Sequence, residues 1–263
     1  MSQPENATLD PQAAKPADAF RLVVTARGPY LVYGRPPMAL QIIATDRDGE
    51  CTGFREGADF PTRSEPTALC RCGRSANKPY CDGSHLHAEW DPRLTAPVER
   101  LDDGAERIEG GTLTLHDNAA YCVFARFCHP QGDAWTLTEQ SDVPEARRQA
   151  IREASLCPGG RLTAYDRATQ RPFEFHYEPS LGLIEDPALS ASGGLWLRGG
   201  IPIRTEEGLH YETRNRTVLC RCGRSANKPY CDGTHVAVKW DDGLVARSEA
   251  RAVQPEPVAA EAE

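Results

Sequence analysis

The sequence predicts an α+β fold that is mostly β, in which two copies of a small β-rich unit flank an α+β segment. The segments Leu69–His85 and Leu219–His235 are offset by 150 residues and differ only at Ser84 and Thr234. Short runs with alternating apolar residues (LVVT, PYLVYG, LWLRG and RTVLC) predict strands near both segments. The roughly ninety residues between the copies have no counterpart in either one.

The repeat extends beyond these two segments. Upstream, residues 28–34 (GPYLVYG) resemble residues 193–199 (GGLWLRG), but here the offset is 165 residues. The first copy therefore holds about fifteen extra residues, which we place around Ile42–Phe54. Each copy is expected to form a short strand, a turn, a strand or hairpin, a metal-binding loop and a final short strand.

The central segment contains a clear helix signal. Ser141 and Pro144 suit the start of a helix, and EARRQAIREASL places Ala146, Ala150, Ile151, Ala154 and Leu156 near one face. We expect this helix to end at Cys157 and the strands RLTAYD and PFEFHYE to follow. The predicted organisation is a disordered tail at 1–18, a first unit at 19–97, a central segment at 98–188, a second unit at 189–247 and a disordered tail at 248–263.

Composition restricts the class of protein. The net charge of −8 argues against nucleic acid as a partner, because phosphate binding requires a basic surface. No stretch approaches the ~20 apolar residues of a membrane span. The first residues have no apolar core typical of a secretion signal, and they contain acidic residues that a mitochondrial presequence avoids. With ten Cys, six of them in two clusters, we expect metal binding in a cytoplasmic protein rather than disulfides.

Each repeated segment contains a set of metal-binding residue types. The spacing is Cys-x-Cys, eight residues, Cys, three residues and His. Three thiolates and one imidazole suit a structural zinc ion. The same four residues also suit a [2Fe–2S] cluster, with two ligands on each iron. Spacing alone leaves both interpretations open.

The residues around the ligands favour the cluster. CRCGRSANKPYCDGSH and CRCGRSANKPYCDGTH resemble the CDGSH iron–sulfur family (mitoNEET-like), whose Cys-x-Cys, Ser and Pro-x-Cys-Asp-Gly elements are all present. The resemblance implies a [2Fe–2S] cluster in each copy, held by three Cys and one His. The implied ligands are Cys70, Cys72, Cys81 and His85 in the first copy, and Cys220, Cys222, Cys231 and His235 in the second.

Family members with one motif are dimers in which two β units exchange strands. The resemblance therefore implies that the two copies in this chain form an intramolecular pseudo-dimer, so that a monomer is sufficient. The alternative is two unrelated units joined like beads on a string.

The central segment offers a third set of thiols. Cys122 and Cys128, followed by Cys157-Pro158 after the helix, are similar to the divergent single-cluster ferredoxin-like domain, which binds [4Fe–4S]. A [4Fe–4S] cluster normally has four protein ligands. The fourth could come from His129, His116, Asp117 or Cys51, or the site could stay open or hold [3Fe–4S]. The alternative is that the three Cys are buried packing residues.

The resulting functional hypothesis is an iron–sulfur protein that carries electrons, transfers clusters or senses redox state, with redox or cluster-acceptor proteins as partners. No residue pattern indicates a nucleophile with its base, so a carrier is expected rather than an enzyme. Two alternatives stay open at this point: a zinc-stapled interaction module without redox activity, and an electron-relay component of an oxidoreductase.

Overall fold

The computed structural model describes residues 20–62 and 64–246 of the chain, and its secondary structure is mostly β as predicted. The strands are β1 (Arg21–Val24), β2 (Tyr30–Tyr33), β3 (Met38–Thr45), β4 (Cys51–Asp59), β5 (Thr67–Leu69), β6 (Glu106–Glu109), β7 (Leu113–Asp117), β8 (Leu162–Asp166), β9 (Ser180–Asp186), β10 (Ala191–Arg198), β11 (Ile203–Thr205) and β12 (Arg216–Leu219). The α-helices are α1 (Ala134–Glu139), α2 (Pro144–Leu156) and α3 (Thr234–Ala237). The tails predicted at 1–18 and 248–263 lie outside the described residues.

The first sheet joins strands from both copies. Its order is β11-β1-β2-β5, and β1 pairs in parallel with β11, which places Leu22 opposite Ile203. The neighbouring β2 pairs antiparallel with both β1 and β5. The alternation in β1 buries Leu22 and Val24 on one face, as its sequence pattern predicts.

The second sheet also draws on both copies. Its order is β12-β10-β9-β3-β4, in which β3 pairs in parallel with β9 and places Leu40 opposite Leu183. The extra residues of the first copy form the β3–β4 hairpin. Strand β9, which lies within residues 98–188, is hydrogen-bonded between β10 and β3. This sheet therefore ties both copies to the end of the central segment.

One hydrophobic core serves both copies. Leu22, Leu40 and Leu69 from the first half pack in the same buried cluster as Leu195 and Leu219 from the second half. Because the copies share two sheets and a core, each would lose pairing and burial partners if they separated. The described residues thus form an intertwined pseudo-dimer rather than two beads on a string.

The central segment contains a third sheet, in the order β6-β7-β8, against which α2 packs. Helix α2 begins at Pro144 and ends at Leu156, as predicted. The sequence did not indicate α1, whose first turn is capped by the Asp133 carboxylate accepting from the Thr136 amide at 2.8 Å. The predicted strand PFEFHYE is absent, and only Pro172 bridges to β8. No helix in the described ranges is long and apolar enough to cross a membrane.

A buried carboxyl on α2 makes stability depend on pH. Glu153 is 1% exposed, and its Oε2 has no hydrogen-bond partner among the described residues. Burial raises the pKa of Glu153 to about 7 from the usual 4.5. The folded protein therefore holds a proton that the unfolded chain releases, and it loses stability as pH rises from about 4.5 through 7. Replacing Glu153 by Gln should remove this dependence.

Near pH 9, Glu153→Gln should raise the free energy of unfolding by about 3 kcal/mol, because each unit of pKa shift corresponds to about 1.4 kcal/mol. This increase should vanish near pH 4, where the carboxyl is protonated in both states. Urea denaturation at several pH values measures the difference. An equal difference between variant and wild type at all pH values would contradict the assignment.

Candidate metal centres

Each predicted metal loop follows the last strand of its copy. Cys70 comes directly after β5, and Cys220 comes directly after β12. The loop then folds back on the strand, because the Cys81 amide donates to the Ala68 carbonyl at 2.9 Å. In the second copy the Cys231 amide donates to the Val218 carbonyl, also at 2.9 Å. Both loops therefore return their third Cys to the neighbourhood of their first.

Hydrogen bonds fix the shape of each loop. In the first copy the Ser75 hydroxyl donates to the Tyr80 carbonyl at 2.6 Å, and the Asp82 carboxylate accepts from the Ala76 and Ser84 amides. Asp82 thereby braces a short 3-10 helix, Ser84–Leu86, that carries His85. The second copy repeats these bonds with Ser225 and Asp232, and there the helix is α3.

The predicted ligands lie in pairs. The Sγ atoms of Cys70 and Cys72 are 3.8 Å apart, and Cys81 Sγ lies 3.4 Å from His85 Nδ1. The corresponding distances in the second copy are 3.7 Å and 3.4 Å. On one tetrahedral metal ion, two sulfurs lie about 3.8 Å apart and a sulfur and a nitrogen about 3.5 Å apart. Each pair therefore fits two neighbouring positions on one metal ion.

The pairs do not merge into a single four-ligand site. Among residues 20–62 and 64–246, no three His, Cys, Asp or Glu side chains converge closely enough to hold one metal ion. A mononuclear zinc site needs four ligands around one point. Two ligands around each of two points is the arrangement that a two-iron cluster requires.

The two loops meet back to back. A Cβ added at Gly73 would lie 2.4 Å from the Cys222 carbonyl oxygen, and one at Gly223 would lie 2.4 Å from the Cys72 carbonyl oxygen. The Trp240 indole donates to the Gly73 carbonyl at 3.3 Å. These reciprocal contacts bring the two candidate centres together across a pseudo-twofold axis.

Comparison with known families agrees with this geometry. The family model described as iron-binding zinc finger CDGSH type matches residues 27–86 and 192–236. Residues 27–86 and 192–236 are CDGSH domains. The chain is therefore an iron–sulfur protein, and its central segment lies outside both matched ranges. No curated protein and no solved structure gave a match.

The contact between the CDGSH domains gives a test with a matched control. Gly73 has φ +74, and its missing Cβ would overlap the Cys222 backbone, so Gly73→Ala combines backbone strain with a steric clash. Gly49 has φ +84, and no heavy atom of the described residues lies within 4 Å of its missing Cβ, so Gly49→Ala carries the strain alone. The strain costs about 1–2 kcal/mol. We expect Gly73→Ala to lower the free energy of unfolding by clearly more than Gly49→Ala in urea denaturation, and equal losses would contradict the close approach.

The pKa values of the ligand groups shift in both directions: the hydrogen bond with Cys70 raises that of Cys72, and burial raises that of Cys231. The pKa of Cys70 is lowered to about 6, first by a hydrogen bond from the Cys72 thiol and then by the Ser75 and Gly73 amides. Burial lowers the pKa of His235 to about 4. Its imidazole is therefore neutral at pH 7, the form in which histidine binds a metal.

The Arg inside each Cys-x-Cys has different partners in the two domains. Arg71 donates to the carbonyl oxygens of Gly28 and Thr25. Arg221 instead forms buried ion pairs with Asp242 at 2.7 Å and Glu185 at 3.0 Å. Among the described residues, carboxylates pair with this guanidinium beside the second site and not beside the first. The two sites therefore differ in electrostatic surroundings although their loops are nearly identical.

The central thiols share one cleft. Cys122, Cys128 and Cys157 line a cavity of about 30 Å³ together with Pro158 and Arg161. The Cys128 sulfur lies 3.1 Å from His129 Nδ1.

The other residues considered as a fourth ligand are engaged elsewhere. His116 Nδ1 is 2.5 Å from the Asp102 carboxylate, and Asp117 pairs with Arg161 at 2.6 Å. Cys51 is buried in an apolar cluster with Phe127. Of the four residues, His129 is the one whose ring meets a thiol of the cleft.

The sequence reasoning did not identify two kinds of functional residue. It gave no role to Arg71 and Arg221, although the repeated Cys-Arg-Cys is a visible signal for them. It also did not place Tyr30, whose hydroxyl donates to the Cys220 carbonyl at 2.8 Å across the domain boundary. That contact joins residues 190 positions apart, so no local pattern could reveal it.

Proposed function

We propose that this chain is an electron carrier that holds one [2Fe–2S] cluster in each CDGSH domain. Cys70 and Cys72 would bind one iron of the first cluster, and Cys81 and His85 would bind the other. Cys220 with Cys222, and Cys231 with His235, would do the same in the second domain. The ligand pairs carry this proposal, because the distance within each pair suits two neighbouring positions on one metal ion, and each loop holds two such pairs.

The mixed ligand set defines the chemistry that such a centre supplies. Two ferric ions, two sulfides, three thiolates and a neutral imidazole sum to a charge of −1, compared with −2 for four thiolates. Lower negative charge favours reduction, so the potential should lie above that of plant-type ferredoxins, as His ligation does in Rieske centres. The ligand residues thus favour one-electron exchange at a moderate potential.

The contact between the two domains supports a role in electron transfer rather than in metal binding alone. Gly73 and Gly223 hold the ligand loops against each other, and Trp240 spans them. This proximity suits electron sharing between two centres. A soluble redox or cluster-acceptor protein in the cytoplasm is the partner that we propose. Cluster transfer to that partner is the second use that the same ligands permit.

Metal and sulfide analysis tests the proposal. Anaerobically prepared protein should contain four iron and four sulfide per chain in the CDGSH domains, and dithionite should bleach its visible absorption bands. Cys72→Ser and Cys222→Ser should each remove about two of these four iron, whereas Cys51→Ser should remove none. Colourless, zinc-filled protein from iron-replete cells would overturn the proposal in favour of a zinc-stapled module.

We also propose a third cluster, of the [4Fe–4S] or [3Fe–4S] type, at the central thiols. One observation favours it: Cys122, Cys128 and Cys157 line a single cleft although 35 residues separate the first from the last. Their fourth partner would be His129, beside the Cys128 thiol. A cluster there would make the chain an electron relay, the role that suits a component of an oxidoreductase.

EPR spectroscopy with iron analysis tests the third cluster. The full chain should show iron beyond four per chain and a signal distinct from those of the CDGSH centres. Cys157→Ser should abolish that signal and leave the CDGSH signals in place, with Cys51→Ser as a control. Iron at four per chain, with no further EPR signal, would leave these Cys as packing residues.

A further inference from the structure

We propose that the first CDGSH domain is the exchange site of this chain, where an external acceptor reaches the bound cluster, and that the central segment closes the second site. This inference rests on the proposed function, because it concerns access to the clusters proposed above. It assigns different roles to two ligand loops that are nearly identical in sequence.

The glycine of each CDGSH sequence provides the first observation. A Cβ added at Gly83 would find no heavy atom of the described residues within 4 Å. A Cβ added at Gly233 would lie 3.2 Å from both the Cys122 carbonyl oxygen and Phe124 Cβ. The two glycines have similar φ values, +87 and +83, so the loops have the same local conformation. The central segment therefore lies on the second loop, while no residue in 20–62 or 64–246 covers the equivalent side of the first loop.

The burial of the ligands agrees with this cover. His235 is 5% exposed and Cys231 is 2% exposed, whereas His85 and Cys81 are only partly buried. Cys231 packs in an apolar cluster with Val123 of the central segment. Since the two ligand sets match residue for residue, this difference in burial arises from what covers them and not from the loops.

Further contacts hold the cover in place. The Asn227 side-chain amide donates to the Ala120 carbonyl at 2.8 Å, which anchors the second loop to the segment just before Cys122. Phe124 extends from this segment with its side chain 49% exposed. In the first domain, Leu86 follows His85 with 73% of its surface exposed. The backbone of Cys122 is thus placed beside the second site, whereas Leu86 beside the first site faces solvent.

The central segment and the two CDGSH sites are arranged in a row. The central segment adjoins the second CDGSH site at the Cys122 backbone, the second site adjoins the first through Gly73 and Gly223, and the first site faces outward. An acceptor that takes up a cluster, or a chelator that removes its iron, must reach the ligands from solvent. It therefore reaches His85 directly, and it reaches His235 only when the central segment opens locally.

Chelator-driven iron release from the full chain measures this difference. With EDTA in excess, the absorbance of the two CDGSH clusters should fall in two phases of equal amplitude. Their rate constants should differ by at least about tenfold, which corresponds to about 1.4 kcal/mol of local opening. His85→Cys should change the fast phase alone, and His235→Cys the slow phase alone. A single phase for both sites would overturn the proposal, as would a fast phase that responds to His235→Cys.

Phe124→Gly tests the cover itself. Phe124 has φ +59, a conformation that glycine adopts freely, so the variant removes the side chain without adding backbone strain. It should accelerate the slow phase and leave the fast phase unchanged. Arg35→Gly is the matched control, because Arg35 has φ +55 on an exposed surface and should change neither phase. An unchanged slow phase in Phe124→Gly would contradict the cover.

Amide hydrogen exchange separates this inference from the proposed function, because it needs no cluster. Residues 82–86 should exchange faster than residues 232–236 in the wild type, and Phe124→Gly should raise exchange at 232–236 alone. Colourless protein that still shows this difference would support the proposed cover and contradict the proposed clusters. Coloured protein with equal exchange in both loops would contradict the proposed cover and support the proposed clusters.

Discussion

Replacing Arg216 by Met should lower the free energy of unfolding by about 3–5 kcal/mol, because it leaves a carboxylate without its buried partner. The Arg216 side chain is 1% exposed and forms two bonds with the Glu174 carboxylate, at 2.7 and 3.0 Å. It also donates to the carbonyl oxygens of Ala154, Cys157 and Leu162. Methionine has a similar length, but it donates no hydrogen bond to the carboxylate or to these carbonyl oxygens.

Urea denaturation at pH 7 measures this loss. Arg171→Met is the control, since Arg171 is exposed, and its effect should stay within about 0.5 kcal/mol. The double variant Arg216→Met with Glu174→Gln should recover part of the loss, because it removes the uncompensated charge. A double variant no more stable than Arg216→Met would assign the loss to the carbonyl bonds and not to the ion pair.

Arg216 also links two candidate centres. It lies on β12, four residues before Cys220, and its guanidinium holds the backbone of the helix end that carries Cys157. The neighbouring Arg214 donates to the Gly159 carbonyl of the same turn. The strand that leads into the second CDGSH loop therefore also supports the turn with the third central thiol.

The local elements could be read from the sequence because their signals are local. The alternation of LVVT and RTVLC identified β1 and β12, and Pro144 marked the start of α2. Helix α1 escaped detection because its six residues are too few for a periodic pattern. PFEFHYE has the residue types of a strand, but apart from the bridge at Pro172 the structure gives it no ladder, and its Glu174 is used to pair Arg216.

The pairing of strands that are distant in the sequence could not be predicted from the sequence. The parallel pairs β1·β11 and β3·β9 join residues more than 140 positions apart, and no spacing in the sequence predicts which strands will meet. The repeat indicated two sites of the same kind. It could not indicate that Phe124 and Cys122 would lie on one of them, because nearly identical loops carry no information about their surroundings.

Replacing both His85 and His235 by Cys should make the proposed clusters more resistant to acid and lower their reduction potential by on the order of 100 mV. An imidazole ligand is neutral, and protons compete with iron for its nitrogen as the pH falls. A thiolate adds one negative charge to each centre, which binds ferric iron more firmly and disfavours the added electron. Visible absorbance against pH and spectroelectrochemistry measure the two effects.

His87→Cys is the matched control for this double variant. His87 lies two residues after His85, is exposed, and has Ala237 at the equivalent position of the second domain. It should leave both the acid-loss profile and the potential unchanged. A double variant that loses its colour at the same pH as the wild type would exclude the two His as iron ligands. The pairing of Cys81 with His85, and of Cys231 with His235, would then stabilise the loop and not bind the metal.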